Sequence, residues 1–242
     1  MQAYEAATAT LLRLLVVGSR FSNRQDHDDL WAECVDRLAN RSMPLRSGNT
    51  YAIRMQFYPV LLALHAIALG SAAAGRIEAI AHTLAAVSIR HPLPDRNQGP
   101  LPITASFESL DNGQFPEAIT DKGDSTPSSD HLLGVMCDAA ADVIPGDEGL
   151  EDLFDEAEYL LGVAGTAQLA PLRLAFVTTA GRAAWRLLRD GGFPEGPVRR
   201  HENTLIEKGV FQGTGDIDTA RNAHNQKMGE LRRRIDPFYS HS

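Results

Sequence analysis

Apolar positions recur along this chain at helical spacing, and they predict helices over most of its length. Tyr4 to Val17 carries a stripe of Tyr4, Ala7, Leu11, Leu14 and Leu15, closed by Gly18 and Ser19. A second amphipathic helix is expected from about Asp28 to Asn40, with Leu30, Trp31, Cys34, Val35 and Leu38 on one face. Tyr51 to Leu69 is the most apolar stretch. Its apolar positions cover the whole circumference and no charge follows Pro59, so it predicts a helix enclosed by others. Pro59 should bend or restart that helix, because proline lacks the amide donor. Gly75 is the expected break. Arg76 to Ile89 should fold back as an antiparallel partner, with Ile77, Ile80, Ala81, Leu84 and Val87 inward.

The pattern changes after His91. Pro92, Pro94, Pro100 and Pro102, then the polar run Asp121 to Asp130, predict a long loop across the surface with one short helix inside it. Helical spacing resumes over His131 to Ile144, with Leu132, Leu133, Val135, Met136, Ala139, Ala140 and Val143 inward. Leu150 to Val163 follows, with Leu153, Phe154, Ala157, Leu160 and Leu161 inward. Pro171 to Leu188 reads as a further helix, although Phe176 to Thr179 would also suit a strand. A short helix to about Lys208 and a polar one over Ile217 to Ile235 complete the chain. The expected architecture is an all-α, irregular multi-helix bundle of about seven to nine helices with a long Pro/Gly-rich central loop. Residues 1–190 would form the main domain, with the insertion at 91–130, and residues 191–242 a basic helical extension.

Composition narrows the function. The chain has 242 residues, 43% of them hydrophobic and 22% charged, with a formal net charge of -8. That balance argues against a non-specific grip on nucleic acid and leaves room only for a local basic patch. The two cysteines, Cys34 and Cys137, have no CxxC spacing and read as small buried hydrophobes, which fits a cytoplasmic location. The N-terminal residues lack the basic start of a signal peptide. The apolar run Val60 to Gly75 is too short and too rich in alanine for a membrane span of about 20 residues.

No phosphate-binding loop, dinucleotide fingerprint, zinc pair or serine elbow occurs in the sequence. Four weaker constellations remain. Arg76 and His82 resemble the arginine–histidine pair of small helical ribonucleases of the HEPN type, in which arginine stabilises phosphate charge and histidine transfers a proton. Six positions turn roughly 600° around a helix, which separates the two groups; Ile77 also replaces the polar residue usual there. The plainer reading starts a helix at Arg76 and half-buries His82. Asp26-His27-Asp28-Asp29 could hold a divalent ion, or simply cap a helix start. Asp147, Glu148, Glu151, Asp152, Asp155 and Glu156 form an acidic surface, in which Asp152, Asp155 and Glu156 share a helix face; magnesium binding and solvated ion pairs are both open. Arg199, Arg200, Arg221, Lys227, Arg232, Arg233 and Arg234 form the one plausible nucleic-acid patch, without aromatic stacking platforms. His65, within the central helix, is expected to be a satisfied core histidine.

Three passages in order carry a resemblance: Tyr58-Pro59 with the following Leu/Ala helix to Arg76, Leu153 to Leu161, and Gly181 to Arg186. Together they resemble the helical region that accompanies SIR2-like effector domains in bacterial anti-phage defence proteins. The resemblance spans roughly residues 1–190 and implies a helical module without its enzyme, either a separate subunit or a piece of a longer protein. It implies a structural role for Phe154, Glu158, Tyr159, Arg182, Trp185 and Arg186, with Glu158 paired to Arg182 or Arg186. The expected function is a non-catalytic interaction or regulatory module with a protein partner or a second copy, no cofactor, no metal and no membrane. A HEPN-like metal-independent ribonuclease and a nucleic-acid sensor using the basic tail are the alternatives.

Overall fold

The computed structural model describes residues 1–41, 55–90, 100–110, 127–145, 149–169, 182, 202–210, 222 and 226. Within them the chain is an all-α, irregular multi-helix bundle: α1 (Gln2–Phe21), α2 (Gln25–Arg41), α3 (Tyr58–Ala73), α4 (Glu78–Ala86), α5 (Pro127–Ala140), α6 (Leu150–Leu169) and the short α7 (Glu202–Glu207). A 3₁₀ helix spans Ile103–Leu110. Apart from Arg182, Asn222 and Gln226, the expected helices over Pro171–Leu188 and Ile217–Ile235 lie outside the described residues, as does most of the division at residue 190.

The central helix is as enclosed as its pattern requires. Every residue of α3 from Val60 to Ser71 is buried. Pro59 sits in the first turn, where its missing amide would have had no helical partner, so it starts the helix and does not kink it. At the other end Gly75 adopts φ 67°. The Arg76 amide then donates to the Ser71 carbonyl at 3.1 Å and the Gly75 amide to Ala72 at 2.9 Å, which closes the helix and turns the chain toward α4.

Around α3 stand α1, α2, α4, α5 and α6. The α1 contact is the closest. A Cβ on Gly70 would fall 2.4 Å from the Val16 carbonyl oxygen and 2.1 Å from Ser19 Oγ, so the two backbones touch there. Ser19 turns its hydroxyl back to the Leu15 carbonyl at 2.6 Å, which lets a polar residue be buried in that contact.

This close approach decides which faces are inside, and here the structure departs from the sequence reading. On α1 the buried residues are Thr8, Leu12, Leu15, Val16 and Ser19. Tyr4 and Leu14, expected inward, are 40% and 55% exposed. On α2 the buried positions are Asp28, Ala32, Val35 and Ala39, while Leu30 is 47% exposed. Small residues are buried there beside Leu12, Leu15, Val16 and Val35, while Tyr4, Leu14 and Leu30 are turned away. Nor does Gly18 end α1. The helix runs on to Phe21, and Trp31 packs so closely on Gly18 that a Cβ there would lie 2.0 Å from Trp31 Cζ2.

The region after α4 also differs. Ile77, Ile80, Ala81, Leu84 and Val87 are all buried as expected, but the helix stops at Ala86. The chain then extends, and β1 (Ser88–Ile89) pairs antiparallel with β2 (Leu101–Pro102). Asn40 at the end of α2 serves as the strand's other neighbour: its amide donates to the Ser88 carbonyl at 2.9 Å and accepts from the Arg90 amide at 2.8 Å. The segment expected as a surface loop is partly core, since Leu101, Ile103, Ala105 and Phe107 are buried. Gln168 of α6 fixes it by accepting from the Thr104 hydroxyl at 2.9 Å and donating to the Leu84 carbonyl at 2.8 Å.

Candidate functional site

Two of the sequence constellations come together where the first turns of α2 face α4. Asp28 is buried, at 6% exposure. Burial pushes its carboxyl above the ordinary range, while Lys208, His82 and Arg76 act in the opposite sense and Glu78 adds to the rise. Its carboxylate is thus held where the charged form is disfavoured. Glu78 keeps one buried carboxylate oxygen, Oε2, without a hydrogen bond. The helix repeat places Glu78 and His82 one turn apart on α4, and His82 Nε2 meets Asp29 Oδ1 at 2.9 Å. Thus Arg76, His82, Asp28 and Asp29 share one polar patch, joined by Glu78 and Lys208, which spacing did not suggest. Their neighbours Asp26 and His27 turn elsewhere: Asp26 pairs with Arg24 at 2.7 Å and His27 Nδ1 lies 3.1 Å from Ser22 Oγ.

The members of this patch are held by internal contacts. Arg76 lies in the connection between α3 and α4, and its Nη2 donates to the Arg20 carbonyl at 3.2 Å. Lys208 Nζ donates to Gln25 Oε1 at 2.7 Å. Arg76 and His82 therefore sit on different elements and not on one helix as the ribonuclease spacing assumes. Among the described residues, no group of three or more histidine, cysteine or carboxylate side chains is arranged to hold a metal ion.

The acidic surface resolves into a knot around Arg182. Its guanidinium donates to Asp130 Oδ1 at 3.0 Å and to Glu151 Oε2, and its Nε lies 3.2 Å from Asp155 Oδ1. Burial works against that charge, but the Asp130 hydrogen bond and the charges of Asp155, Glu151 and Asp130 outweigh it and raise the guanidinium pKa. Glu158 is wholly buried and accepts from Ser129 Oγ at 2.6 Å. Ser129 Oγ in turn accepts from the Arg182 amide at 3.2 Å. Glu158 and Arg182 are thus linked through a serine hydroxyl, while the guanidinium serves three other carboxylates. Phe154 and Tyr159, on the same helix, are core residues. Asp152 is exposed and Glu156 half-buried. Asp147, Glu148, Trp185 and Arg186 lie outside the described residues, and so do Arg199, Arg200, Arg221, Lys227, Arg232, Arg233 and Arg234.

A third cluster carried no signal in the sequence, because its members are 53 to 126 positions apart. Tyr58 donates its hydroxyl to Glu5 Oε1 at 2.8 Å, and His131 Nε2 meets the same oxygen at 2.9 Å. These contacts pin α1, α3 and α5 together beside an open groove of about 470 Å³ floored by Ala6, Ala9, Val135 and Ala139.

His65 is fully buried, as expected, but only half satisfied. Its Nδ1–H donates to the Leu61 carbonyl at 2.9 Å, its ring stacks on Phe154 with centroids 6.0 Å apart, and Nε2 has no partner. Burial lowers its pKa from 6.5 to about 4, so it is neutral at physiological pH. Cys34 and Cys137 are free thiols whose pKa burial raises, which keeps them protonated.

No protein-family model, curated protein or solved structure matches the chain. None of the described helices is long and apolar enough to cross a membrane.

Proposed function

We propose that this chain is a non-catalytic helical interaction and regulatory module. One observation carries the reading. The bundle leaves four large apolar residues exposed on two neighbouring helices: Tyr4, Leu14 and Phe21 of α1 at 40%, 55% and 67% exposure and Leu30 of α2 at 47%. Scattered exposed apolar residues are ordinary on a protein surface, but a set aligned along one helix marks an interaction face. Meanwhile the groups suited to chemistry are tied into the fold: Arg76 to a carbonyl, His82 to Asp29, and Arg182 to three carboxylates. A place in a bacterial defence assembly in the cytoplasm rests on the resemblance over residues 1–190 alone.

The test is a paired affinity capture from the native source with wild type and Phe21→Glu. A partner retained by the wild type and lost from Phe21→Glu supports the module. Equal recovery from both contradicts it.

A second reading is favoured by Asp28. A buried carboxylate whose charged form burial disfavours is a stability cost of the kind that functional sites retain. It draws Arg76 and His82 into one patch, where histidine could move a proton and arginine steady a phosphate. On this reading His82→Ala abolishes RNA cleavage with the fold intact. Wild type that leaves RNA uncut removes it.

A further inference from the structure

The outward side of α1 has an order that selects its own partner. Tyr4, Ala7, Leu11, Leu14, Gly18 and Phe21, of which Leu11 and Gly18 are half-buried and the rest exposed, follow at alternating steps of three and four residues, the spacing of a seam along which one helix packs on another. From either end the order is aromatic, small, leucine, leucine, small, aromatic. A two-fold interface must be complementary to itself. An antiparallel pair centred between Leu12 and Arg13 satisfies this condition, because it sets Tyr4 against Phe21 and Leu11 against Leu14. Ala7 then faces position 18, where the surface is not bare glycine. Trp31 lies over Gly18, within 2.0 Å of where a Cβ would be. The smallest side chain of the seam therefore meets its one filled position.

We propose that two copies of this chain pair through this face, with the two α1 helices antiparallel. The proposal rests on the interaction-module reading and names its partner. The area fits. The exposed parts of Tyr4, Leu14 and Phe21 amount to roughly 300 Å² of apolar surface per copy, the size of the largest patch a monomer leaves uncovered. With its rim, the pair removes about 1,000 Å² in total, the lower edge of specific interfaces, so the dimer is reversible and not obligate. It also gives a role to the large residues that α1 leaves outside its inner face of Leu12, Leu15 and Val16.

Sedimentation velocity on the full chain, over a concentration series through the micromolar range, tests the proposal. Wild type is expected to show a reversible monomer–dimer equilibrium. Leu14→Glu and Phe21→Glu should each weaken it by about tenfold or more, since each buries a charge against its mate. His82→Ala, on another face, should leave it unchanged. Both seam positions are exposed, so the fold should survive; Tyr4→Glu replaces either variant that loses helix content. Orientation is read from spin labels on Tyr4→Cys in a Cys34→Ala/Cys137→Ala background. An antiparallel pair places the two labels about 25 Å apart, from 17 residues at the helical rise. A wild type that is monomeric throughout, a dimer indifferent to both glutamates, or labels within about 10 Å would each overturn the proposal. A monomer would not by itself sink the module reading: a different protein captured by wild type and lost from Phe21→Glu would keep it.

Discussion

His65 lies wholly inside the contact between α3 and α6, with Nε2 unpartnered against Phe154. A buried acceptor without a donor forfeits its water hydrogen bond, and that costs about 1–3 kcal/mol. His65→Leu should therefore stabilise the fold at neutral pH by about 1 kcal/mol, read as a rise in the denaturant midpoint. The Leu61 carbonyl keeps its helical hydrogen bond in that variant. The pH dependence has a definite sign. In the unfolded chain His65 takes up a proton near 6.5, but in the folded chain only near pH 4. Its contribution is present above pH 6.5 and is lost as pH falls toward 4, by roughly 3 kcal/mol at most. The His65→Leu variant should lack this part of the acid destabilisation. Asp28 has the opposite sign. Its raised carboxyl pKa means that it favours folding below the unfolded value of 3.8 and that this is lost as pH rises through its folded value. Asp28→Asn should raise the denaturant midpoint at pH 7, with the difference from wild type vanishing in acid. An unchanged midpoint at pH 7 would mean that Asp28 is adequately solvated.

Gly70 shows how element packing overrides local preference. Alanine is the better helix former by about 1 kcal/mol. Yet a Cβ at position 70 would fall 2.4 Å from the Val16 carbonyl, a backbone atom that cannot rotate away. Gly70→Ala should destabilise by roughly 1–3 kcal/mol, and thermal unfolding with a raised midpoint would contradict the close α1–α3 approach. The same approach explains what was legible in the sequence. The wholly apolar α3, the Gly75 stop and the inner face of α4 followed from periodicity, because there the largest apolar residues are also the buried ones. On α1 and α2 periodicity located the helices and part of their inner faces, since Leu15 and Val35 are buried and Leu11, Trp31 and Leu38 pack on the core, but it misplaced Tyr4, Leu14 and Leu30. There the core takes Thr8, Ser19, Ala32 and Ala39 for their small size, and hydrophobic pattern alone does not rank small residues above leucine. The Asp28 patch was half legible: its acids and the Arg76–His82 pair were visible, but only the fold brings them together. The Glu5–Tyr58–His131 cluster had no local signature at all.

At the scale of the molecule, two polar clusters tie the helices together around the apolar core, while Tyr4, Leu14 and Phe21 of α1 stay exposed. The Arg182 knot joins α5 to α6 through Asp130, Glu151 and Asp155, and the Glu5 cluster joins α1, α3 and α5. Both stiffen a bundle whose α1 presents a seam to its surroundings. On the proposed interaction-module reading, that face is where a partner helix would pack. The most direct test is the mass of the full chain in solution by light scattering, alone and after affinity capture from its native source. One chain weighs 26.3 kDa. A mass above that value is expected in the captured preparation, and in the protein alone at high concentration. A mass of one chain in both preparations would contradict that reading, and the Asp28 patch would then be the place to look for activity.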